Sequence, residues 1–402
     1  MPEEGPPPHL DPAEYMARNT IAVGGSLAQK PGFGGHAWVL LQYLLGFRRL
    51  GWDVLFIDRL EPEMCRDSHG SPCELGDSVN VRYLSAVMER FGLGANYALL
   101  HDGGSGVIGR SRVRLLEELR GCALLLNVMG FTTDEDVLAA CPRRVFLDVD
   151  PGFGQIWREL ELHDCFCGHD DFVTIGQNIG LEGCPLPSCG LDWIATSPPV
   201  VLSEWPALPL PPDAPLTSVG SWRGVYGPLE HAGRTYGHRV HEFRRFLALP
   251  RMTDQHFELA LNIEPAETGD LSRLAEHGWE LVDPLAVAAT PADYRTYIQA
   301  SMGELMIAKS MYVQAQSGWF SDRSVCYLAS GRPVVAQDTG LSGLYPTGRG
   351  LLTFATLEEA AGAVAEVRGN PAMHSRAARA LAEEHFDSDR VLGRLLTQLG
   401  IG

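Results

Sequence analysis

Short apolar runs alternate with amphipathic stretches along most of the chain, a pattern typical of α/β proteins. Near the N-terminus a β-branched run, Thr20–Val23, precedes a glycine-rich segment, a helical run from His36 to Leu50, and a second apolar run, Asp53–Ile57. Gly51, directly after the helical run, is a typical residue for a helix C-terminus. The second run is apolar after its first residue, as expected of a buried parallel strand. This order predicts a βαβ unit that opens a doubly wound sheet.

The same alternation continues to the C-terminus and predicts further strands and helices. The predicted strands are Cys122–Val128, Arg144–Asp148, Leu216–Val219, Phe257–Ile263, Leu305–Ala308 and Pro333–Ala336. The predicted helices are Ser85–Phe91, Ser111–Leu119, Ser324–Ser330 and Leu357–Val367, with one or two amphipathic helices in Met373–Leu399. Two successive α/β patterns are therefore expected, followed by a helical tail.

The length and one proline-rich stretch divide the chain. A chain of 402 residues exceeds the size at which one hydrophobic core stops growing, so two domains are expected. Prolines cluster between Thr196 and Pro215, and such a composition favours an extended linker. We predict domains at 1–197 and 216–372, a linker at 198–215, and C-terminal helices at 373–402 that pack back on the first domain.

Charge and composition narrow the classes of partner. The formal net charge of -18 disfavours a nucleic acid partner, so any phosphate group must be bound in a local pocket of donors. No apolar stretch is long enough to span a bilayer, and Met1–Glu14 lacks the basic and apolar segments of a signal peptide. We therefore expect a cytoplasmic protein. Its nine cysteines show no repeating pattern and are expected to be reduced thiols.

The strongest candidate for chemistry is the segment from Ser317 to Asp338. A loop with several hydroxyls and one arginine leads into a predicted helix, whose free backbone amides favour an anion. The polar residues at the end of the next strand would lie at the ligand-binding edge of the sheet. The candidate residues are Ser321, Asp322, Arg323, Ser324, Gln337 and Asp338.

This order of elements resembles the donor site of GT-B glycosyltransferases, in which the helix before a Gly-x-Pro-Val-Val strand holds the nucleotide diphosphate. The resemblance covers the C-terminal half well and the first βαβ unit moderately. It implies two Rossmann-like domains facing a cleft, the first binding an acceptor and the second a nucleotide-sugar donor. Many retaining members have a ribose-binding glutamate where this chain has Cys326, so the stereochemical outcome stays open.

The resemblance implies further donor ligands at the start of the second domain. In the segment from Ser218 to Gly224 it places a basic residue, Arg223, beside the donor phosphates, with Trp222 next to it. Lys309, after a predicted strand, is a second candidate for the diphosphate. An arginine fork and a lysine point charge are a common pair for such a group. Solvated surface cations are the alternative.

Catalytic candidates lie in the first domain. Gly34 and Gly35 resemble the glycine-rich loop of GT-B enzymes, where the backbone approaches a ligand closely. A histidine at this loop is the general base in one inverting branch, which makes His36 the candidate base. Asp150, two residues after Asp148, could orient His36 or bind acceptor hydroxyls, and ordinary turn capping is the alternative.

Two other polar groups are interpreted as structural. The segment His169, Asp170 and Asp171 is interpreted as a solvated loop. The pair Cys165/Cys167 has a single intervening residue, too few for a zinc site, and prolines interrupt the pair Cys184/Cys189. The Asp-x-Asp triplet at 148–150 resembles the metal motif of the other large glycosyltransferase fold, whereas GT-B enzymes use a helix dipole and basic residues. We expect no metal and no cofactor besides the nucleotide-sugar co-substrate.

The sequence thus predicts transfer of a sugar from a UDP- or GDP-sugar to a small-molecule acceptor, as an O-, N- or S-glycoside, in bacterial secondary metabolism. An NAD(P)-dependent Rossmann oxidoreductase is the main alternative: Asp58 follows the second strand as a ribose-binding acid would, but the loop lacks a properly spaced G-x-G-x-x-G. A nucleotide-sugar epimerase of the same fold, a catalytically silent binding protein and a homodimeric assembly stay open.

Overall fold

The computed structural model describes residues 19–224 and 226–401, and it contains two large sheets whose strands are mainly parallel. The first sheet consists of β1 (Thr20–Gly24), β2 (Asp53–Leu60), β3 (Tyr97–His101), β4 (Gly106–Gly109), β5 (Leu124–Val128), β6 (Arg144–Asp148), β7 (Asp171–Thr174) and β8 (Trp193–Ala195). A hairpin, β10 (Leu229–His231) with β11 (Arg234–Tyr236), precedes most of the second sheet. That sheet consists of β9 (Leu216–Ser221), β12 (Phe257–Asn262), β13 (Glu280–Leu281), β14 (Gly303–Met306), β15 (Val334–Gln337) and β16 (Leu351–Phe354).

Helices cover both sheets. In the N-terminal half they are α1 (Gly34–Arg49), α2 (Val79–Arg90), α3 (Arg112–Gly121), α4 (Glu135–Ala140) and α5 (Phe153–Glu159). In the rest of the chain they are α6 (Arg239–Phe243), α7 (Thr268–His277), α8 (Pro284–Ala288), α9 (Pro291–Ala300), α10 (Ser310–Ala315), α11 (Asp322–Ala329), α12 (Leu357–Gly369), α13 (Pro371–Leu381) and α14 (Ser388–Gln398). In the part of the chain so described, no helix is both long and apolar enough to cross a bilayer.

The strand order of each sheet defines one crevice. The first sheet has the order β4-β3-β2-β1-β5-β6-β7-β8, and all its neighbours are parallel except β3 and β4. The second has the order β13-β12-β9-β14-β15-β16 and is fully parallel. The direction of winding reverses between β1 and β5 and again between β9 and β14. Ligands of doubly wound sheets bind at the carboxyl ends of such strands.

The last helix returns to the N-terminal half, as predicted. α14 packs on α1 so closely that a Cβ on Gly46 would lie 2.4 Å from Leu392 Cδ1. Arg49 forms a two-pronged ion pair with Asp389, at 2.8 and 2.9 Å. The returning chain runs beside the first crossing, because Val200 exchanges backbone hydrogen bonds with Phe386 and Ser388. The predicted fold class is confirmed, whereas the exact domain boundaries stay a prediction.

Some element boundaries differ from the prediction for local reasons. α2 begins six residues earlier than Ser85, at Val79, because Ser78 caps it by accepting a hydrogen bond from the Val81 amide. β14 ends at Met306 instead of Ala308, whose amide donates to the Gln337 side chain at 3.2 Å. Lys309 consequently stands at the N-terminus of α10, at the carboxyl edge of the sheet.

Candidate active site

The carboxyl ends of the two sheets meet in a cleft, and two charged side chains bridge it. Asp150, after β6, places Oδ2 2.5 Å from Nζ of Lys309, after β14. Its other oxygen accepts a hydrogen bond from the hydroxyl of Tyr312 on α10. Tyr312 stacks on Trp319, with ring centroids 4.0 Å apart, and the indole of Trp319 donates to the Val149 carbonyl at 3.4 Å. Two predicted site residues, Asp150 and Lys309, are thus brought together from opposite halves.

A buried carboxyl group supports Asp150 from below. Asp148 accepts from the Asp150 amide at 3.1 Å, from Gln155 Nε2 at 2.7 Å and from the Thr174 hydroxyl at 3.1 Å. Burial raises the pKa of Asp148 to about 7. Because its oxygens are used within the N-terminal half, Asp148 acts on the cleft by positioning Asp150, and the Asp-x-Asp triplet does not present a pair of open carboxylates.

His36 lies in the first turn of α1, beside the same cleft. Its Nε2 is 3.1 Å from the hydroxyl of Ser26, which follows β1. Burial, and secondly the charge of Lys30, lower the pKa of His36 to about 4. The imidazole is therefore neutral at pH 7 and has a proton-accepting nitrogen.

The glycines before His36 have a packing role. A Cβ on Gly34 would lie 2.2 Å from the Thr290 carbonyl oxygen, and one on Gly35 would lie 2.8 Å from the Tyr294 ring. The start of α1 is thus covered by the C-terminal half. Only glycine permits this approach, so close contact between the halves accounts for both residues.

The burial of His36 leads to a prediction about the pH at which its imidazole becomes protonated. We expect its ring protons to titrate near pH 4 in an NMR titration, against about 6.5 for an unperturbed imidazole. Since its folded-state pKa is depressed, protonation favours the unfolded chain, and this group lowers stability as the pH falls from 6.5 towards 4. The signal is assigned by its absence in His36→Gln. Titration near 6.5 would show that the imidazole is solvated and not buried in the cleft.

The C-terminal side of the cleft contains two buried arginines, Arg239 and Arg323, and a buried glutamate, Glu304. Arg323 pairs with Glu304 and donates from Nη1 to the Val219 carbonyl at 2.8 Å. Arg239, at the start of α6, lies against Gly220 at the end of β9: a Cβ there would be 2.1 Å from Nη1. Burial, then the charge of Arg323, lower the pKa of Arg239 to about 10.

Several donors of this cluster have no partner among residues 19–224 and 226–401. They are Arg239 Nε and Nη1, Arg323 Nη2, Ser317 Oγ and Ser324 Oγ. Buried polar groups without partners are rare and costly. Glu304 pairs with Arg323, and its second oxygen, Oε2, also lacks a partner there. The cluster, Arg239–Arg323–Glu304 with its serines, therefore has the composition of an anion site.

The other predicted donor residues have structural partners. Ser321 caps α11 by accepting from the Arg323 amide, and Asp322 stands in the first turn, where burial raises the pKa of its carboxyl. Asp338 accepts from the amides of Gly340 and Leu341, and Gln337 donates to Glu242 at 2.7 Å. These bonds shape the carboxyl edge of the second sheet.

The segment after β9 differs most from the prediction. Trp222 is 1% exposed in the core of the C-terminal half and donates to Asp270 at 2.9 Å, so no surface of its ring is available to a ligand. Arg223 forms an exposed ion pair with Glu267. Arg239 occupies the buried position beside β9 instead.

Sequence reasoning missed three residues of the cleft: Lys30, Arg239 and Tyr312. Lys30 and Lys309 are the only lysines among the 32 lysine and arginine residues of the sequence. This rarity could have drawn attention to Lys30 as well as to Lys309. Burial, and secondly the charge of Lys309, lower the pKa of Lys30, while the charge of Asp150 opposes the shift. Arg239 and Tyr312 carry no local signal and are placed by tertiary structure.

The remaining polar groups are held by ion pairs or are free thiols. Asp170 pairs with Arg144 and Asp171 with Arg143, at the start of β7. All nine cysteines are free. Within the described ranges, no group of three or more His, Cys, Asp or Glu residues is arranged to hold a metal ion.

No known protein-family model matches the chain, and no curated protein resembles it in sequence. Solved structures do resemble it. Sucrose-phosphate synthase from Thermosynechococcus elongatus matches with a TM-score of 0.53 and 14% identity, over 95% of this chain and 99% of that chain. HepE from Anabaena, in complex with UDP-glucose, matches with a TM-score of 0.57 and 14% identity over the same shares. TarM from S. aureus, in a complex containing UDP, matches with a TM-score of 0.59 and 7% identity, over 94% of this chain and 99% of that chain. The chain has the GT-B fold that these glycosyltransferases share.

Proposed function

We propose that this protein is a glycosyltransferase that moves a sugar from a UDP-sugar to a small-molecule acceptor. The observation that carries the proposal is the anion site Arg239–Arg323–Glu304, which lies at the crevice of the second sheet. A nucleoside diphosphate leaving group gains negative charge as the glycosidic bond breaks, and fixed buried donors stabilise that charge without reorganisation.

UDP is the nucleotide that the comparisons favour. HepE was crystallised with UDP-glucose, and TarM with UDP. The guanidinium groups of Arg239 and Arg323 would bind the diphosphate through charge-assisted hydrogen bonds. Lys309 would join them when the ligand draws it from Asp150, as its predicted role as a donor ligand requires.

The N-terminal side of the cleft would supply the base. The neutral His36 would accept the acceptor's proton, with the Ser26 hydroxyl fixing its ring. Asp150 would hold acceptor hydroxyls once Lys309 turns to the donor. One of the similar solved structures is an alpha-glucosyltransferase in complex with UDP-glucose and DNA. The net charge of -18 argues against a polyanionic acceptor for the present protein.

The dehydrogenase alternative required Asp58 to bind the ribose of the cofactor, and the structure argues against this role. Both oxygens of Asp58 accept backbone amides of its own half, from Ala28 and Arg59, each at 2.6 Å. A carboxylate so engaged is not available to a cofactor. Product analysis with UDP-sugars would distinguish a transferase from an epimerase, since an epimerase releases an altered sugar without an acceptor.

The direct test is the affinity for UDP of an Arg239→Met variant. We expect the affinity to fall by roughly 10- to 150-fold, the loss of a charge-assisted contact worth about 1.5–3 kcal/mol. The free variant should be at least as stable as the wild type, because methionine removes a buried cation that lacks a full set of partners. Calorimetry with UDP and thermal unfolding without it measure both quantities.

Two further variants sharpen this test. Arg223→Met tests the arginine that was predicted from the sequence to bind the donor phosphates. In the structure this arginine pairs with Glu267. Arg90→Gln removes an exposed cation on α2 and should change neither quantity. If Arg239→Met binds UDP with the affinity of the wild type, the diphosphate does not bind at the buried arginines. A loss confined to Arg223→Met would place it at the surface.

A further inference from the structure

The ammonium group of Lys309 occupies a cage made of one carboxylate and two aromatic rings. Its Nζ lies 2.5 Å from Oδ2 of Asp150. It also lies over two rings, 5.6 Å from the centroid of Phe153 and 5.3 Å from that of Tyr312. A cation within about 6 Å of the face of an aromatic ring is attracted by the electrons of the ring. We call Asp150, Phe153 and Tyr312 the ammonium cage.

The parts of the cage are held by contacts that do not involve the lysine. The amide of Asp150 donates to the buried carboxyl group of Asp148 at 3.1 Å. The hydroxyl of Tyr312 donates to Asp150, and its ring stacks on Trp319 at 4.0 Å. Phe153 is buried at the start of α5. A site whose walls are fixed independently of its occupant is already organised for another ligand of the same kind.

The cage would be left with a negative charge if Lys309 turned to the donor diphosphate. Among the residues that the structure describes, Lys309 is the only cation that pairs with Asp150. A carboxylate beside aromatic rings favours a positive partner over a neutral or a negative one. The cage also has access to solvent, because the Asp150 side chain is 37% exposed and Tyr226, whose ring lies 6.1 Å from that of Phe153, is 55% exposed.

We propose that the vacated ammonium cage binds a protonated amine of the acceptor, and that the acceptor is therefore a small amino alcohol. This inference rests on the proposed glycosyl transfer, in which Lys309 joins the donor and Asp150 becomes free. An ammonium group has no free electron pair, so it is the group recognised, and a separate hydroxyl receives the sugar. The hydroxyl oxygen would bond to the sugar carbon as UDP leaves with the electron pair of the broken bond, and the hydroxyl proton would pass to His36.

Calorimetry with matched compounds, in saturating UDP, tests the class of acceptor. Aminocyclohexanol is compared with cyclohexanediol, and glucosamine with glucose, under conditions in which the amines are protonated. Within each pair a single amine replaces a hydroxyl. We expect the amine to bind about 10-fold or more tightly in at least one pair, because hydrogen bonds to charged groups are roughly twice as strong as neutral ones. Failure of the amine to bind more tightly in either pair would overturn the proposal.

UDP should strengthen the binding of the amine. Without UDP the side chain of Lys309 fills the cage, so we expect the affinity for the preferred amine to be at least about 10-fold lower. Because coupling between two ligands is reciprocal, the amine should raise the affinity for UDP by the same factor. Amine binding that is independent of UDP would contradict the proposal, since the amine would then not enter the space that Lys309 leaves.

Two variants separate the occupant of the cage from its charge. Lys309→Met leaves the cage empty and should bind the amine as tightly without UDP as the wild type does with it. Asp150→Asn removes the charge and should abolish the preference for the amine, while UDP still binds and shows that the variant is folded. The controls Asp136→Asn and Arg90→Met change exposed residues on α4 and α2 and should match the wild type. An unchanged preference in Asp150→Asn would refute the cage.

UDP affinity, measured on the same samples, separates the two proposals. If UDP binds the wild type while no amine is preferred, only the ammonium cage is wrong. If UDP does not bind, the glycosyltransferase proposal is wrong. Lys309→Met, whose cage is open without UDP, then decides by its own preference between amine and hydroxyl compounds whether the cage binds an ammonium group.

Discussion

Replacing Glu304 by glutamine should lower the free energy of unfolding by about 3–5 kcal/mol, the range for removing one partner of a buried ion pair. Glu304 is 0% exposed and is the carboxylate that pairs with Arg323. Without it, Arg323 and Arg239 would be two buried cations close together, each raising the cost of the other. Urea unfolding of the variant and the wild type measures the difference.

Matched variants identify the cause of this loss. Glu118→Gln removes a partly exposed carboxylate from its pairs with Arg110 and Arg114, and should cost less than about 1 kcal/mol. Adding Arg239→Met to Glu304→Gln should recover part of the stability, since one uncompensated charge is removed. UDP should also stabilise the single variant, because it supplies the missing negative charge. A loss below 1 kcal/mol in Glu304→Gln would mean that the cluster is solvated.

Loss of the imidazole of His36 should lower the rate of sugar transfer by ~10²–10⁴-fold, the usual contribution of a positioned general base. His36→Gln should be as slow as His36→Ala, because glutamine can bond to Ser26 but cannot accept a proton. UDP affinity should hardly change, since the buried arginines lie across the cleft. Turnover and UDP affinity of both variants are measured together.

The alternatives give different patterns. Transfer at nearly the wild-type rate in both His36 variants would exclude His36 as the base and direct attention to Asp150→Asn. Loss of UDP binding would make His36 a donor ligand. A thiol acceptor would also reduce the effect, because a thiol with a pKa near ~8.5 is already partly ionised at neutral pH.

The elements of the fold could be predicted because their signals are local. Val54–Ile57, the middle of β2, and Leu124–Val128 are buried on both faces, and all their residues except Asn127 are apolar. The glycine after α1 and the proline-rich segment before β9 mark boundaries in the sequence itself. The start of α2, by contrast, was predicted too late in the sequence. The helix begins after its N-cap, Ser78, and a serine among other polar residues cannot be recognised as an N-cap from the sequence alone.

The site was harder to predict, because its residues come together only in three dimensions. Arg239 is one of many arginines, and nothing next to it in sequence shows that Gly220 leaves room for its side chain. Trp222 and Arg223 lie in the expected loop, but the first turns into the core and the second pairs with Glu267. Asp150 and Lys309 were both selected, yet their contact depends on how the halves face each other.

The return of α14 to α1 also determines when the protein can fold during synthesis. Leu392, Leu395 and Leu396 complete the apolar core against a helix that begins at residue 34, so the N-terminal half lacks this part of its core until these leucines have emerged from the ribosome. Contacts this distant in sequence form late and slowly. Until then the apolar face of α1 is exposed to other nascent chains. A ribosome stalled before residue 388 should therefore present a chain that chaperones bind, even though both of its sheets have been synthesised.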